Sequence, residues 1–264
     1  MNLAPAAFGA PARWWRRSPR ARRYVIGAAV VGAGVAAWHW VTTDRLPDFA
    51  DYGDSADKKA AFFAYLLPHL QAVNADILAD RDRLLRIRTK LVRQGSAGYF
   101  DERWVRDVAA DYALDPPDQP NVAFMDHLLR RVDVIAPSLV LAQAANESAW
   151  GTSRFARDGN NLFGMHTHDG TGLVPHRRAA GRRFTVASYD SVGESIDDYV
   201  HNLNTDARYR ELRSIRAGLR RQHRVISGEA LANGLDAYSR RRSEYVDIIQ
   251  SIISGNRLAQ YDTE

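Results

Sequence analysis

The strongest hydrophobic pattern in the chain is a stripe of apolar residues, spaced three and four apart, between residues 55 and 92. Positions with this spacing lie on one face of an α-helix. The members of the stripe are Phe63, Leu66, Leu70, Val73, Ile77, Leu84, Ile87 and Leu91. Asp80 is its one break, and Pro68 predicts a kink near the start of the helix. The pattern therefore predicts a long amphipathic helix that Ser55 caps and that runs to about Val92.

An apolar stripe of this length has two interpretations. It forms a coiled coil with a partner or with a second copy of the chain, or it packs the helix against its own domain. The sequence favours the second interpretation and leaves a homo-oligomer through this helical arm as the alternative.

A second pattern is the uncharged run from Tyr24 to Val41, which follows a cluster of arginines. Its 18 residues span about 27 Å as a helix, close to the roughly 30 Å of membrane hydrocarbon. Trp38 and Trp40 lie at its outer end, where aromatic rings favour the interface. We expect a single-pass anchor in the inner (cytoplasmic) membrane, with the basic tail (1–23) in the cytoplasm and the main domain in the periplasm or cell wall. A cleaved signal peptide is the alternative.

Composition excludes several classes of function. The chain has 264 residues, of which 45% are hydrophobic and 25% charged, as is typical of a globular protein. It has no cysteine, which excludes disulfides, cysteine nucleophiles and thiolate metal sites. The net charge of +5 comes from six arginines before residue 24, since without them 30 basic residues face 31 acidic ones. Because this charge is confined to the tail of an exported chain, no nucleic-acid partner is predicted.

Turn-forming residues divide the chain after the anchor. Residues 42–54 are a predicted linker, 55–120 the helical arm, and 121–264 a mainly helical domain. The boundary at 120 is marked by Pro116, Pro117 and Pro120. Two strands are predicted within the domain, at Leu173 to Arg177 and Arg183 to Ser188.

Two helical stretches near the C-terminus carry no predicted function. The arginines between Arg208 and Arg224 are expected on a solvent face. The apolar run from Tyr245 to Ile253 predicts a buried terminal helix that belongs to the core rather than to a site.

Glu147 is the residue that points to chemistry. It lies near the end of an apolar helix that begins at Ser138, among Ala144, Ala145 and Trp150. A carboxyl group in apolar surroundings loses hydration, which favours the protonated form that a general acid needs. A glutamate in this position is also typical of an exposed helix end. The residue alone therefore does not distinguish a catalytic acid from an ordinary surface glutamate.

The loop that follows supplies the deciding context. Residues 159–164 read Gly-Asn-Asn-Leu-Phe-Gly, with turn-forming amides and two apolar anchors. Together with the helix end, it resembles the bacterial glucosaminidase domain, glycoside hydrolase family 73, whose approximate pattern is Q-x-x-x-E-S-G-W-G-x-S followed by N-N-L-F-G. The matching residues are Gln143, Glu147, Ser148, Trp150, Gly151, Ser153, Asn161, Leu162, Phe163 and Gly164. Ala149 stands where glycine is usual.

The stretch PSLVLAQAANESAWGTSRFARDGNNLFGMHTH, with HNLNTDARYRELR downstream, resembles the Bax-type branch of that family. The resemblance covers roughly residues 60 to 258. It implies a mainly α fold, with a lysozyme-like helical domain and a small β-hairpin lobe. It also implies hydrolysis of the β-1,4 bond after N-acetylglucosamine in peptidoglycan, without metal or cofactor.

The resemblance assigns roles to individual residues. Glu147 matches the general acid of the family. Tyr238 matches a tyrosine near the reacting sugar, although its usual setting, Y-A-T-D-P-x-Y, is YSRRRSEY here, with Tyr245 as the second tyrosine. The predicted substrate-binding residues are Trp150, Asn161 and Phe163. Phe163 and Trp150 are also expected to support the loop and the helix end, with stacking on a sugar as the alternative for Trp150.

The second carboxylate of a glycosidase has no clear counterpart in the sequence. Asp169 is the one acid in the predicted β-lobe and is the candidate. Asp190 and Glu194 follow, but Ser191 to Glu194 has the form of a capping box. An inverting reaction and assistance by the N-acetyl group of the substrate both remain open.

Two further features of the sequence each have two interpretations. His166, His168 and Asp169 contain metal-ligating types but lack a second cluster, which favours a solvated loop over a metal site. The absence of a glutamate from the predicted hairpin leaves a non-catalytic peptidoglycan-binding or scaffolding protein as the alternative function.

Overall fold

A computed structural model describes residues 46–53, 55–167, 172–174, 185–235 and 243–262. The predicted anchor at Tyr24 to Val41 lies outside this part of the chain. Within it, no helix combines the length and the apolar character needed to cross a membrane.

The described chain is mainly helical, as predicted. The helices are α1 (Ser55–Gln94), α2 (Tyr99–Asp111), α3 (Val122–Arg131), α4 (Pro137–Glu147), α5 (Arg154–Gly159), α6 (Val192–Thr205), α7 (Arg210–Arg221), α8 (Gly228–Ala232) and α9 (Ser243–Gly255). Short 3-10 helices lie at Phe49–Asp51, Ala207–Tyr209 and Leu258–Tyr261.

Helix α1 is the predicted long amphipathic helix, and it is continuous through Pro68. Its apolar stripe is buried, apart from the half-buried Val73, and it contacts α3, α4 and α6. Asn74 strengthens this contact, because its side-chain Nδ2 donates to the carbonyl of Ile135 at 3.0 Å. The stripe therefore packs inside its own chain, as the favoured interpretation has it, and these residues do not form an intermolecular coiled coil. Self-association through the helical arm stays a prediction.

Helix α4 runs through the centre of the core, and its residues from Ser138 to Ala145 are buried. It contacts α1, α8 and α9. Pro137 occupies the first turn, where its missing N–H costs nothing. Asp262 caps this end from the far end of the chain, because its carboxylate accepts from the Ser138 amide at 2.9 Å and from the Ser138 hydroxyl at 2.6 Å.

The described part of the β-lobe contains two short strands. Strands β1 (His166–Thr167) and β2 (Thr185–Val186) are antiparallel, with His166 opposite Val186. The predicted second strand contains β2, which pairs with β1; of the predicted first strand, residues 175–177 lie outside the described chain. Leu173 contributes a single bridge to Val186. The tip of the predicted hairpin, residues 175–184, lies outside the described chain.

The expectation of a solvent face between Arg208 and Arg224 is wrong for two arginines. Arg213 and Arg216 of α7 are buried. Arg216 donates to the carbonyls of Asp133 and Val134 at 3.0 and 2.9 Å, and these contacts tie α7 to the segment before α4. The period of the helix places these arginines on its inner face, where backbone carbonyls without helical partners accept their donors.

Candidate active site at the end of helix α4

Glu147 is the last residue of α4, and its side chain is half-buried. The preceding turns are sealed in the core, with Ala144 and Ala145 at 0% exposure. The helix therefore delivers one carboxyl group to the boundary between the core and solvent, as the sequence predicted.

A tight backbone turn ends the helix directly after Glu147. Ala149, Trp150 and Gly151 all have left-handed backbones, with φ of 50°, 60° and 76°. Ser148 fastens the turn: its hydroxyl donates to the Ala144 carbonyl at 2.6 Å and accepts from the Gly151 amide at 2.7 Å. A Cβ on Gly151 would lie 2.6 Å from the Phe49 ring, so this position requires glycine.

Two neutral donors hold the Glu147 carboxylate. The Tyr245 hydroxyl of α9 donates to Oε1 at 2.8 Å, and Asn146 Nδ2 donates to the same oxygen at 3.0 Å. The terminal helix therefore contributes to the site, and its interpretation as core alone is wrong for Tyr245. Tyr238, the other predicted tyrosine, lies outside the described residues.

Tyr245 is itself held by a buried polar chain. Gln143 Nε2 donates to the Tyr245 oxygen at 2.9 Å, and the Tyr199 hydroxyl of α6 donates to Gln143 Oε1. The Phe163 ring stacks on the Tyr199 ring with centroids 3.9 Å apart and planes 4° from parallel. The structure thus joins two motif residues, Gln143 and Phe163, through a tyrosine that the sequence analysis did not single out.

Asn161 and Phe163 have structural roles in this geometry. Both are 2% exposed. Asn161 Nδ2 donates to the carbonyls of Met165 and Ala187 at 2.9 and 2.8 Å, and its Oδ1 accepts from the Met165 amide at 3.0 Å. The predicted side-chain contact of these two residues with substrate does not fit their burial. They tie the loop to the β-lobe and to α6 instead.

The arm covers Trp150, the third predicted substrate-binding residue. The rings of Phe62 and Phe63 lie edge-on at 5.9 and 5.4 Å from its centroid. Lys59 Nζ lies 5.0 Å from the same ring, within the range of a cation–π contact. Trp150 therefore joins the end of α4 to α1, and its predicted contact with substrate stays a prediction.

Tyr209 is a buried residue near Glu147 that the sequence analysis missed. Burial raises the pKa of its hydroxyl, and the charge of Glu147 acts in the same direction. It lies in the 3-10 helix before α7, within the stretch HNLNTDARYRELR that carried part of the resemblance. Its position in that stretch is the sequence signal by which Tyr209 could have been identified.

Asp169, Asp190 and Glu194 are the candidates for the second carboxylate, and the structure describes the last two. Ser191 Oγ accepts from the Glu194 amide at 3.2 Å, and Glu194 Oε2 accepts from the Asp190 amide at 3.0 Å. This confirms the capping interpretation of Glu194. Asp169 lies outside the described chain, and the described part contains no cluster of three metal-ligating side chains.

A cavity of about 440 Å³ opens at the other end of α4. Its lining includes Pro137, Arg220, Arg224 and Tyr261. The eleven residues of α4 separate it from Glu147 by about 16 Å. This cavity is therefore distinct from the predicted glycan groove beside Glu147, which stays a prediction.

Comparison with known proteins assigns the family. Residues 123–258 match the glucosaminidase family model, described as mannosyl-glycoprotein endo-beta-N-acetylglucosaminidase. The chain belongs to the glucosaminidase family. It is 32% identical over 215 residues to protein bax of Escherichia coli (strain K12), across 81% of this chain and 76% of that protein. The resemblance to the Bax-type branch is thus confirmed.

Among solved structures, the comparison finds the catalytic domain of the autolysin Auto from Listeria monocytogenes. It is 18% identical to this glucosaminidase-family chain, covers 93% of it and 98% of its own chain, and has a TM-score of 0.41.

Proposed function

We propose that the protein is a peptidoglycan hydrolase that cleaves the β-1,4 bond after N-acetylglucosamine, with Glu147 as general acid. Membership in the glucosaminidase family supports hydrolysis of a glycoside. The observation that carries the proposal is the placement of Glu147, half-buried at the end of a sealed helix and held by neutral donors.

The two carboxyl oxygens of Glu147 have different roles in this proposal. Oε1 accepts hydrogen bonds from Tyr245 and Asn146. The acidic proton therefore resides on Oε2, and this oxygen donates to the glycosidic oxygen as the bond to the leaving sugar breaks. The donors on Oε1 then stabilise the carboxylate that remains.

A second group must act on the anomeric carbon. Asp169 is proposed as the base that activates water in an inverting reaction. If the N-acetyl group of the substrate assists instead, Tyr238 is proposed to position that group or the water. Replacing Asp169 by Asn separates these mechanisms, because only the inverting reaction needs that carboxylate.

The site of action is proposed from the N-terminal sequence. The run from Tyr24 to Val41 would anchor the chain in the inner membrane, with the catalytic domain in the periplasm or cell wall. Peptidoglycan glycan strands are then the partner within reach of the domain.

The test is digestion of purified peptidoglycan by the full-length protein and by Glu147→Gln. We expect the variant to lose about 10²- to 10⁴-fold in rate while binding sedimented peptidoglycan as before. Mass spectrometry of the products should show N-acetylglucosamine at the new reducing ends.

Glu229→Gln is the matched control, since Glu229 is exposed on α8 and the change is chemically the same. Its rate should equal that of the unaltered protein. Equal rates for Glu147→Gln and the unaltered protein would remove Glu147 from its role. Binding without turnover by the unaltered protein would favour the wall-binding alternative.

A further inference from the structure

A buried polar chain crosses the core behind Glu147. It joins three helices through Tyr199 of α6, Gln143 of α4 and Tyr245 of α9, whose exposures are 0%, 0% and 5%. Burial of this many polar atoms is costly unless each finds a partner. Here each link of the chain is a hydrogen bond to the next residue, and the last link ends on Glu147.

The carboxamide of Gln143 sets the direction of donation along this series of hydrogen bonds. An amide oxygen only accepts and an amide nitrogen only donates. Because Oε1 accepts from the Tyr199 hydroxyl, Nε2 faces Tyr245 and donates to its oxygen. The single proton of the Tyr245 hydroxyl is then committed to Glu147 Oε1.

Packing fixes the start of the chain. The Tyr199 ring is stacked on Phe163, so its hydroxyl has little freedom to leave Gln143. Phe163 belongs to the loop at residues 159–164, and Asn161 ties that loop to the β-lobe. The loop is thereby connected to Glu147 through one ring contact and three hydrogen bonds.

We infer that Gln143 and Tyr199 are positioning residues that act through Tyr245 to keep Glu147 Oε1 as a hydrogen-bond acceptor and Oε2 as the proton-donating oxygen, an inference that rests on the proposed function. Without this chain the Tyr245 hydroxyl turns, and its oxygen accepts the proton of Glu147. The acid then donates into the protein instead of to the substrate. Both residues are sealed in the core, so their effect is on turnover rather than on substrate affinity.

Tyr199→Phe tests the inference with a small change, because the stacked ring stays and the hydroxyl alone is lost. We expect kcat to fall about tenfold, the equivalent of one hydrogen bond of about 1.4 kcal/mol, with KM within about twofold. Gln143→Met should have a similar effect. Because the two act in series, the double variant should be no slower than the slower single variant.

Tyr189→Phe is the matched control. This change also removes a tyrosine hydroxyl, which donates to Asp198 of α6 at 2.5 Å. Tyr189 does not belong to the series of hydrogen bonds from Tyr199 to Glu147. The kcat of this variant should stay unchanged. If Tyr199 had a purely structural role, the losses of kcat in the two single variants would add in the double variant. Each loss would then be proportional to the decrease in the fraction of folded protein. Additive losses, or an unchanged kcat in Tyr199→Phe, would overturn the inference.

A measurement without turnover separates this inference from the proposed function. The carboxyl carbon of Glu147 is titrated by NMR in the unaltered protein and in Tyr199→Phe. Because a donor to the ionised carboxylate is weakened, its titration midpoint should move to higher pH. Tyr209, which the charge of Glu147 also influences, is the same in both proteins. An identical midpoint would refute the positioning role even if hydrolysis is confirmed.

Discussion

Two carboxylates flank helix α4 and are treated in opposite ways. Asp133 lies four residues before the helix, is 2% exposed, and contacts the guanidinium groups of Arg81, Arg216 and Arg220. Glu147 ends the helix, is half-buried, and among the described residues is held by a hydroxyl and an amide. Both are bound by several donors, but within the part of the chain that the structure describes only Asp133 forms ion pairs with arginine.

The difference separates a carboxylate that is neutralised by ion pairs from one that is held by uncharged donors. Burial alone would raise the pKa of Asp133, but Arg216, the hydrogen bond from Arg220 and the charge of Arg81 together hold it below its ordinary value. Such a group stays ionised and serves as a hub for α1, α7 and the segment before α4. Neutral donors position a carboxyl group without an ion pair, which suits the general-acid role proposed for Glu147.

The largest expected effect is on stability, from removing the charge of Asp133. Asp133→Asn leaves three arginines without their buried counter-ion, and we expect the free energy of unfolding to fall by about 3–5 kcal/mol. Glu147→Gln should change it by less than about 1 kcal/mol, because a half-exposed group held by neutral donors loses little on becoming neutral. Urea unfolding monitored by circular dichroism measures both.

Asp126→Asn is the control for the first variant. Asp126 pairs with Arg88 at 2.5 Å, but its side chain is 52% exposed, so its loss should cost no more than about 1 kcal/mol. Equal costs for Asp133→Asn and Asp126→Asn would contradict the contrast between the two carboxylates.

Acid pH should sharpen the same contrast. Because the folded-state pKa of Asp133 is lowered, its ion pairs contribute stability above the unfolded value of about 4, and this contribution is lost as pH falls through the folded-state pKa. The urea concentration at the midpoint of unfolding should therefore decrease once the pH is below about 4. Asp206, whose pKa is also lowered through its hydrogen bond with Arg208, adds a smaller share.

Asp133→Asn should lose less stability on acidification than the unaltered protein does. Asp126→Asn should lose as much stability as the unaltered protein. The urea midpoint measured between pH 6 and pH 2.5 checks this. An acid loss of the same size in Asp133→Asn would show that other groups carry it.

The smallest expected effect concerns the turn that presents Glu147. Ala149 has φ of 50° and is exposed, so its methyl group costs strain without packing in return. Ala149→Gly should raise the free energy of unfolding by about 1 kcal/mol. The melting temperature by calorimetry measures this.

Gly151→Ala gives the opposite sign in the same turn. Its added Cβ meets both a positive φ and the Phe49 ring at 2.6 Å, and we expect a loss of about 2–3 kcal/mol. A destabilising Ala149→Gly would show that the left-handed turn is not strained at Ala149.

Periodicity and local motifs determined much of this protein. The stripe from Phe63 to Leu91 predicted α1 and its buried face, since one face of a helix must be covered. Ser191 and Glu194 predicted their own cap, because both partners lie within one turn. The motif around Glu147 predicted the family and the position of the carboxyl group at a helix end.

Only the tertiary structure decided which side chains meet. Tyr245 and Glu147 lie 98 residues apart in the sequence, and Arg216 and Asp133 lie 83 apart. A tyrosine or arginine on an apolar helix face has the same local pattern whether its polar end is solvated or paired in the core. The partner is fixed by how helices pack, because each buried polar group must find a distant complement, and no local spacing encodes that choice.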